Sequence, residues 1–369
     1  MNSEVPNRNF NPERRAALLG TAATVAAGLA TPFLALAADS AKAADNERVQ
    51  GARAVPRRID THSHVMPPAW AEWLRTQPRY RGPHMSFSKE AMLDAYEKNG
   101  IETAILSIST PGVWLGPGTD LSASKTLARK LNEFCAGLVR DNPQRFGFFA
   151  TLILPDVDAS IEEARYALDH LNADGVVLMA NTDGMYLGAP EWDPLMKFLD
   201  ERKTVLFIHP TSLPAPQLPG ITYALVDFLA DTTRAAVNLC MHDCMNRFPN
   251  VKIMLSHGGG YLPYAVMRIA AMMSVMKPAS VTEESAIEQM RRFYFDTALT
   301  PGPYAMPSLL ALADPQRLTF GSDLPYATAA QALKFTNRLD EYALTAEQRY
   351  AINRGNAERL FPRLAKAGG

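Results

Sequence analysis

The chain has 369 residues, 47% of them hydrophobic and 20% charged, with a formal net charge of −1. This is the composition of a folded soluble protein with ample core, and it excludes wholesale disorder and a membrane-embedded body. Near-neutral charge without a basic, aromatic-studded stripe also excludes a nucleic-acid partner.

The first segment differs from the rest. Arg14 and Arg15 precede a long Ala/Leu/Val run that ends in Ala35-Leu36-Ala37. A basic pair, an apolar run and small residues at a cut position read as a twin-arginine-like signal peptide over residues 1–37. Ala41-Lys42-Ala43 offers a second cut site, and an uncleaved leader acting as a membrane anchor is the alternative. The expected location is the periplasm. Residues 38–56 then read as a polar linker, and residues 57–369 as the folded domain.

From residue 57 onward, strand-like and helix-like segments alternate. Eight candidate strands cover 57–62, 103–108, 146–152, 175–179, 205–210, 251–257, 293–298 and 317–323. Most are continuous apolar runs, as in parallel strands covered on both faces. Helical patterns fill the gaps, such as 88–100, where Ser88 is placed to cap the start and Gly100 to end it. The steps between strands average about 37 residues, enough for a strand, a helix and two loops. Eight such units close a single-domain α/β structure, a (β/α)8 TIM barrel. An open doubly wound sheet fits less well, because no glycine-rich phosphate loop follows the first strand.

In a barrel of this kind the carboxyl ends of all strands ring one mouth. Four of the seven histidines sit at such ends: His62 and His64 on strand one, His209 on strand five, His257 on strand six. Asp296 lies near the end of strand seven and Asp323 closes strand eight. His62 and His64, two apart, project to the same side of an extended chain. Three imidazoles and a carboxylate suit one Zn²⁺, Mn²⁺ or Fe²⁺ ion, with a coordination position left for water or substrate. His84, His170 and His242 fall in loops or helices and read as ordinary packing or surface residues. Cys135, Cys240 and Cys244 read as buried apolar residues, with Cys240 and Cys244 on one helix face.

Around this mouth, Arg79 and Arg81 follow strand one and offer forks for a carboxylate. Trp70, Tyr80, Trp114, Tyr186, Tyr261 and Tyr326 sit near the mouth loops, where rings stack on a flat substrate. Trp114 and Tyr261 are taken as substrate contacts with Arg79 and Arg81, and Asp296 as a group that orients a substrate hydroxyl or a ligand histidine. Pro67 and Pro68 are expected to stop strand one and bend the chain into a loop beside the pocket.

The motifs IDTHSHVMPP, LFIHP, LSHGGGYLPY, FYFDTAL, TFGSDLPY and INRGNAERLF, in this order over residues 57–363, resemble those of the amidohydrolase superfamily. The likeness is to its branch of non-oxidative decarboxylases, which act on 6-methylsalicylate, γ-resorcylate and aminocarboxymuconate semialdehyde. It implies metal ligands at His62, His64, His209 and Asp323, with His257 and Asp323 as the acid-base groups. Strand four ends GVVLMAN without the lysine that bridges two metals in many hydrolytic members, which implies one metal, Zn²⁺ first. It also implies a homodimer. The activity so implied is metal-dependent decarboxylation of an aromatic or enoic acid. Hydrolysis of a lactone, amide or ester, hydration of a double bond, and plain binding of an acid by an inert barrel are the alternatives.

Overall fold

The computed structural model describes residues 57–365, and the leader and linker read from the sequence lie outside them. Eight strands take sequence order in one sheet: β1 (Arg58–His64), β2 (Ile101–Ser107), β3 (Phe146–Thr151), β4 (Gly175–Met179), β5 (Val205–His209), β6 (Lys252–Leu255), β7 (Tyr294–Asp296) and β8 (Leu318–Thr319). Every neighbouring pair is parallel. Parallel bridges Asp60–Phe320 and Ser63–Leu324 bring the last strand back to the first, nearly closing a (β/α)8 barrel.

Helices α1 (Pro68–Thr76) and α2 (Lys89–Lys98) connect β1 to β2, and α3 (Leu121–Asp141), α4 (Val157–His170), α5 (Asp193–Glu201) and α6 (Asp227–Met241) follow the next four strands in turn. Then α7 (Leu262–Met276) and α8 (Glu283–Arg291) precede β7, α9 (Met306–Leu312) precedes β8, and α10 (Ala329–Glu341) follows it. The helix starts follow capping chemistry. Ser88 accepts from the Ala91 amide, Asp120 from Ser122 and Ala123, and Asp156 from Ala159. Among the described residues no helix is long and apolar enough to cross a membrane.

Two apolar layers result. One lies between strands and helices. The other fills the barrel interior with Ile59, Ile105, Phe149, Val177, Val205, Phe207 and Met254, and is plugged by Ala357, Leu360, Phe361 and Leu364 of the C-terminal segment. The INRGN motif builds this plug. Asn353 Oδ1 accepts from Arg58 Nε at 3.0 Å, and Asn356 Nδ2 donates to Leu318 O at 2.6 Å. Arg58 is 1% exposed and also holds Asp340, an ion pair that seals the amino-terminal end of β1.

Three local expectations are corrected. Pro67 and Pro68 start a helix rather than a loop, since Pro67 is the N-cap of α1 and Pro68 its first residue. A fixed φ and a missing N–H suit the first turn of a helix. Strand eight is two residues long instead of seven, because the amides of Ser322 and Asp323 both turn to His62 O (3.3 and 2.8 Å) and fold the chain over β1. Cys240 and Cys244 do not share one helix. Asp243, at φ 56°, breaks α6 from the short turn Cys244–Arg247, although all three cysteines are buried as expected.

Candidate metal centre and cavity

Strand alternation and the barrel's closure put His62, His64, His209 and Asp323 together at the carboxyl mouth, with one donor atom of each within 4.8 Å of all the others. The rings are held in one tautomer each. His62 Nδ1 donates to Asp296 Oδ2 at 2.8 Å, His64 Nδ1 to Ser107 Oγ at 2.9 Å, and His209 Nδ1 to Pro210 O at 2.8 Å. The carbonyl of Ser107, 3.3 Å from His64 Nδ1, can only accept, which fits a proton on that nitrogen.

With Nδ1 a donor, each ring that is neutral turns the lone pair of its Nε2 to the common centre. His62 Nε2 and His64 Nε2 lie 3.1 Å apart, and Asp323 Oδ1 is 3.4 and 3.2 Å from them. At these distances a proton or a metal ion must lie between the facing atoms. Burial opposes charge on His62, but Asp296 and Asp323 outweigh it and raise its pKa to about 10. Burial holds His64 below its ordinary value, and burial with the neighbouring His64, His62 and His257 holds His209 well below it. Burial would raise Asp323, yet hydrogen bonds with His257, His62 and His64 keep it well below the usual carboxylate range. His64 and His209 as neutral rings and Asp323 as an ionised carboxylate are in the donor states a divalent cation requires, and a cation at the centre would displace the proton that the two aspartates otherwise hold on His62. Three nitrogens and an oxygen fit one such ion.

His257 stands beside this set, with Nε2 3.5 Å from Asp323 Oδ2 and with its buried Nδ1 lacking a hydrogen-bond partner. Its backbone is in the left-handed region (φ 54°), and Gly258, Gly259 and Gly260 continue with positive φ. A Cβ at Gly260 would meet Leu229 O at 2.1 Å, so the turn packs tightly on α6. Asp296, fully buried, reaches both histidines. Its Oδ1 accepts from the His257 amide at 2.9 Å while its Oδ2 holds His62.

A cavity of about 490 Å³ opens over the ends of β2 to β5, and neither the four candidate ligands nor His257 is among the residues that line it. Val113, Trp114, Leu152, Leu154, Val177 and Met179 give it apolar walls, and Arg79, Asn181 and Asp183 line it with polar groups. Arg79 donates to Pro117 O at 2.8 Å, and Trp114 Nε1 donates to Asp183 Oδ2 at 2.9 Å. Arg81 lies outside the lining and turns back on Pro78 O and Tyr80 O. Tyr261 is also outside it, its hydroxyl donating to Val226 O at 3.2 Å.

Several residues of the site had no signal in the sequence reading. Ser107 backs His64 from the neighbouring strand. Asp60, whose buried carboxyl is raised to about 7 by desolvation, accepts from the amides of His62 and Ser322. Asp231 on α6 accepts from Thr211 N, Asn181 Nδ2 and Tyr186 Oη at 2.8–2.9 Å and fixes the loop after β5. Only Asp60, inside IDTH, stood in a stretch that had drawn attention.

Comparison with known proteins agrees with this geometry. The amidohydrolase family profile matches residues 59–363. The decarboxylase yanB of Aspergillus niger is 38% identical over 328 residues, covering 83% of this chain and 88% of that protein. The 6-methylsalicylic acid decarboxylase of Penicillium expansum is 36% identical, over 83% of this chain and 97% of its own. The solved 5-carboxyvanillate decarboxylase of Novosphingobium aromaticivorans, complexed with manganese and a nitrobenzoic acid, superposes with a TM-score of 0.74. It is 21% identical and covers 85% of this chain and 97% of that one, a likeness of fold.

Proposed function

The chain belongs to the amidohydrolase family, and from that premise we propose that it is a metal-dependent, non-oxidative decarboxylase of an aromatic carboxylic acid, of the 6-methylsalicylate or resorcylate type. The observation that carries the reading is the one-metal donor set with an adjacent histidine in this chain, whose relatives are named as decarboxylases.

His62, His64, His209 and Asp323 would hold the ion. When bound, it supplies Lewis acidity to the substrate's carboxylate or neighbouring phenol oxygen. His257 and Asp323 manage the proton, and their 3.5 Å contact supports passing it between them. Delivery to the ring carbon that bears the carboxylate breaks aromaticity there. The carbon–carbon bond then yields CO₂, and its electron pair restores the ring. Asp296 keeps both His62 and the His257 backbone in place. Arg79, at the cavity, is the arginine placed to meet an anionic group of the substrate, and Trp114 the ring placed to flank it. Arg81 and Tyr261 lie outside the cavity lining.

Zn²⁺ is the first candidate ion from the donor set, and Mn²⁺, present in the solved relative, is its rival. Elemental analysis of purified protein, joined to CO₂ release from salicylate-type acids, tests both statements. Loss of activity on chelation with recovery on adding one metal supports the reading, and turnover unaffected by chelation contradicts it.

A homodimer is supported by α7, which leaves Tyr264 (87% exposed), Met267 (60%) and Val275 (72%) uncovered. Delivery to the periplasm through the twin-arginine-like leader is supported by a site that binds its ion only when folded. Cell fractionation tests it, and retention in the cytoplasm contradicts it.

A further inference from the structure

Three loops meet at one edge of the cavity. The chain after β1 brings Arg79, the chain after β2 brings Trp114 to Pro117, and the chain after β4 forms a short hairpin, Asn181–Thr182 against Met185–Tyr186, with Asp183 in its turn. Trp114 and Asp183 both line the cavity, and Trp114 Nε1 donates to Asp183 Oδ2 at 2.9 Å, joining loops 69 residues apart. The junction is tight. A Cβ at Gly116 (φ 95°) would sit 3.2 Å from Asp183 Oδ1 and 3.4 Å from Arg79 Nη1.

Asp183 is fixed from behind. It stands in the left-handed region (φ 51°), which aspartate tolerates better than most residues. Asn181 Oδ1 accepts from the Gly184 amide at 2.9 Å and locks the turn, while Asn181 Nδ2 donates to Asp231 of α6 at 2.8 Å. The carboxylate that meets Trp114 is thereby tied to a helix of the barrel wall. On the other side, the backbone around Trp114 is held by Arg79 at Pro117 O and by Thr119 at Leu115 N. What Asp183 adds is the direction of the ring. Two side-chain torsions leave an indole a choice of rotamers, and a charge-assisted bond on its edge selects one.

We propose that Asp183 is a positioning residue, which holds the Trp114 indole as a fixed wall of the cavity for a flat acid to bind against. This rests on the decarboxylase reading, in which Trp114 flanks the substrate. A ring already set in place need not be ordered by the ligand, so the gain falls on binding and leaves the chemical step alone.

Three replacements separate the parts played by residue 183. Asparagine keeps an oxygen that accepts from Nε1 and tolerates the same backbone, glycine keeps only the backbone, and alanine keeps neither. The Mn²⁺-loaded full chain is compared as wild type, Asp183→Asn, Asp183→Gly and Asp183→Ala, each alone and combined with Trp114→Phe, whose ring cannot donate. With 6-methylsalicylate as the acid, two sets of quantities are read: KM and kcat for CO₂ release, and calorimetric Kd in the His257→Asn background. Asp183→Gly and Asp183→Ala should raise KM and Kd about tenfold with kcat within about twofold, and Asp183→Asn should stay within about threefold of wild type. In the Trp114→Phe background none of the three should add more than about twofold. Unchanged KM and Kd in the glycine and alanine variants, an equal loss in the asparagine variant, or the same loss repeated without the indole N–H overturns the proposal. The expected pattern in Kd with no CO₂ released would sink the decarboxylase reading and leave the role of Asp183 standing. Failure of the loaded wild type to bind the acid overturns both.

Discussion

His209 contributes its Nε2 from the end of β5 and is neutralised by burial among other rings, so its removal takes away a quarter of the donor set. His209→Ala is expected to purify with metal far below one equivalent, and full occupancy by elemental analysis would show that the ion, if any, sits elsewhere. His257 stands beside the set and is no ligand of it, so His257→Asn should keep the metal and lose about 100-fold or more in kcat. Turnover within a few-fold of wild type would remove its acid-base role. Asp296→Asn keeps the shape but replaces the acceptor that fixes the His62 tautomer. About a 10- to 100-fold weaker metal affinity is expected, measured by chelator competition. At this scale the ligands were legible because histidine is scarce in the chain and strand ends are recognisable. Ser107 was not, since a hydroxyl on an apolar strand gains meaning only once its neighbours across the barrel are known.

The strands and their order could be read from runs of apolar residues, while their lengths could not. β8 looks seven residues long by composition, but hydrogen bonding to His62 O ends it after Thr319 and swings Asp323 into the centre at φ 60°. The two prolines misled in a similar way, because the features that stop a strand also suit a first helical turn. The loop after β5 depends on a contact from another element. Asp231 of α6 satisfies three donors behind His209, and burial raises its pKa. Asp231→Ala leaves those donors unpaired and should cost about 2–3 kcal/mol in denaturant unfolding. A change below about 0.5 kcal/mol would mean that the loop is held by other contacts.

As a whole the molecule divides its labour between the two ends of one barrel. Its carboxyl end carries the four candidate metal ligands and the cavity, and its amino end is closed by Arg58 and the C-terminal plug. Phe361 sits 5.9 Å from the Phe149 ring inside that plug, and Phe361→Ala should cost about 3–5 kcal/mol while leaving the identity of the bound metal unchanged. INRGNAERLF thus marks the family through stability, in contrast to the histidine motifs. The joining of these ends into one barrel was legible from the repeat of strand and helix. Its near closure over Asp60 and Ser63, and the uncovered face of α7, belong to tertiary contacts that no local pattern records. The most direct measurement of the central claim is the fate of a ¹³C-carboxyl-labelled salicylate-type acid incubated with the metal-loaded protein. Labelled CO₂ and the matching phenol in equal amounts, abolished by chelation, are the expected result; an acid recovered intact, or consumed with its label still on carbon in a ring-opened or hydrolysed product, would contradict it.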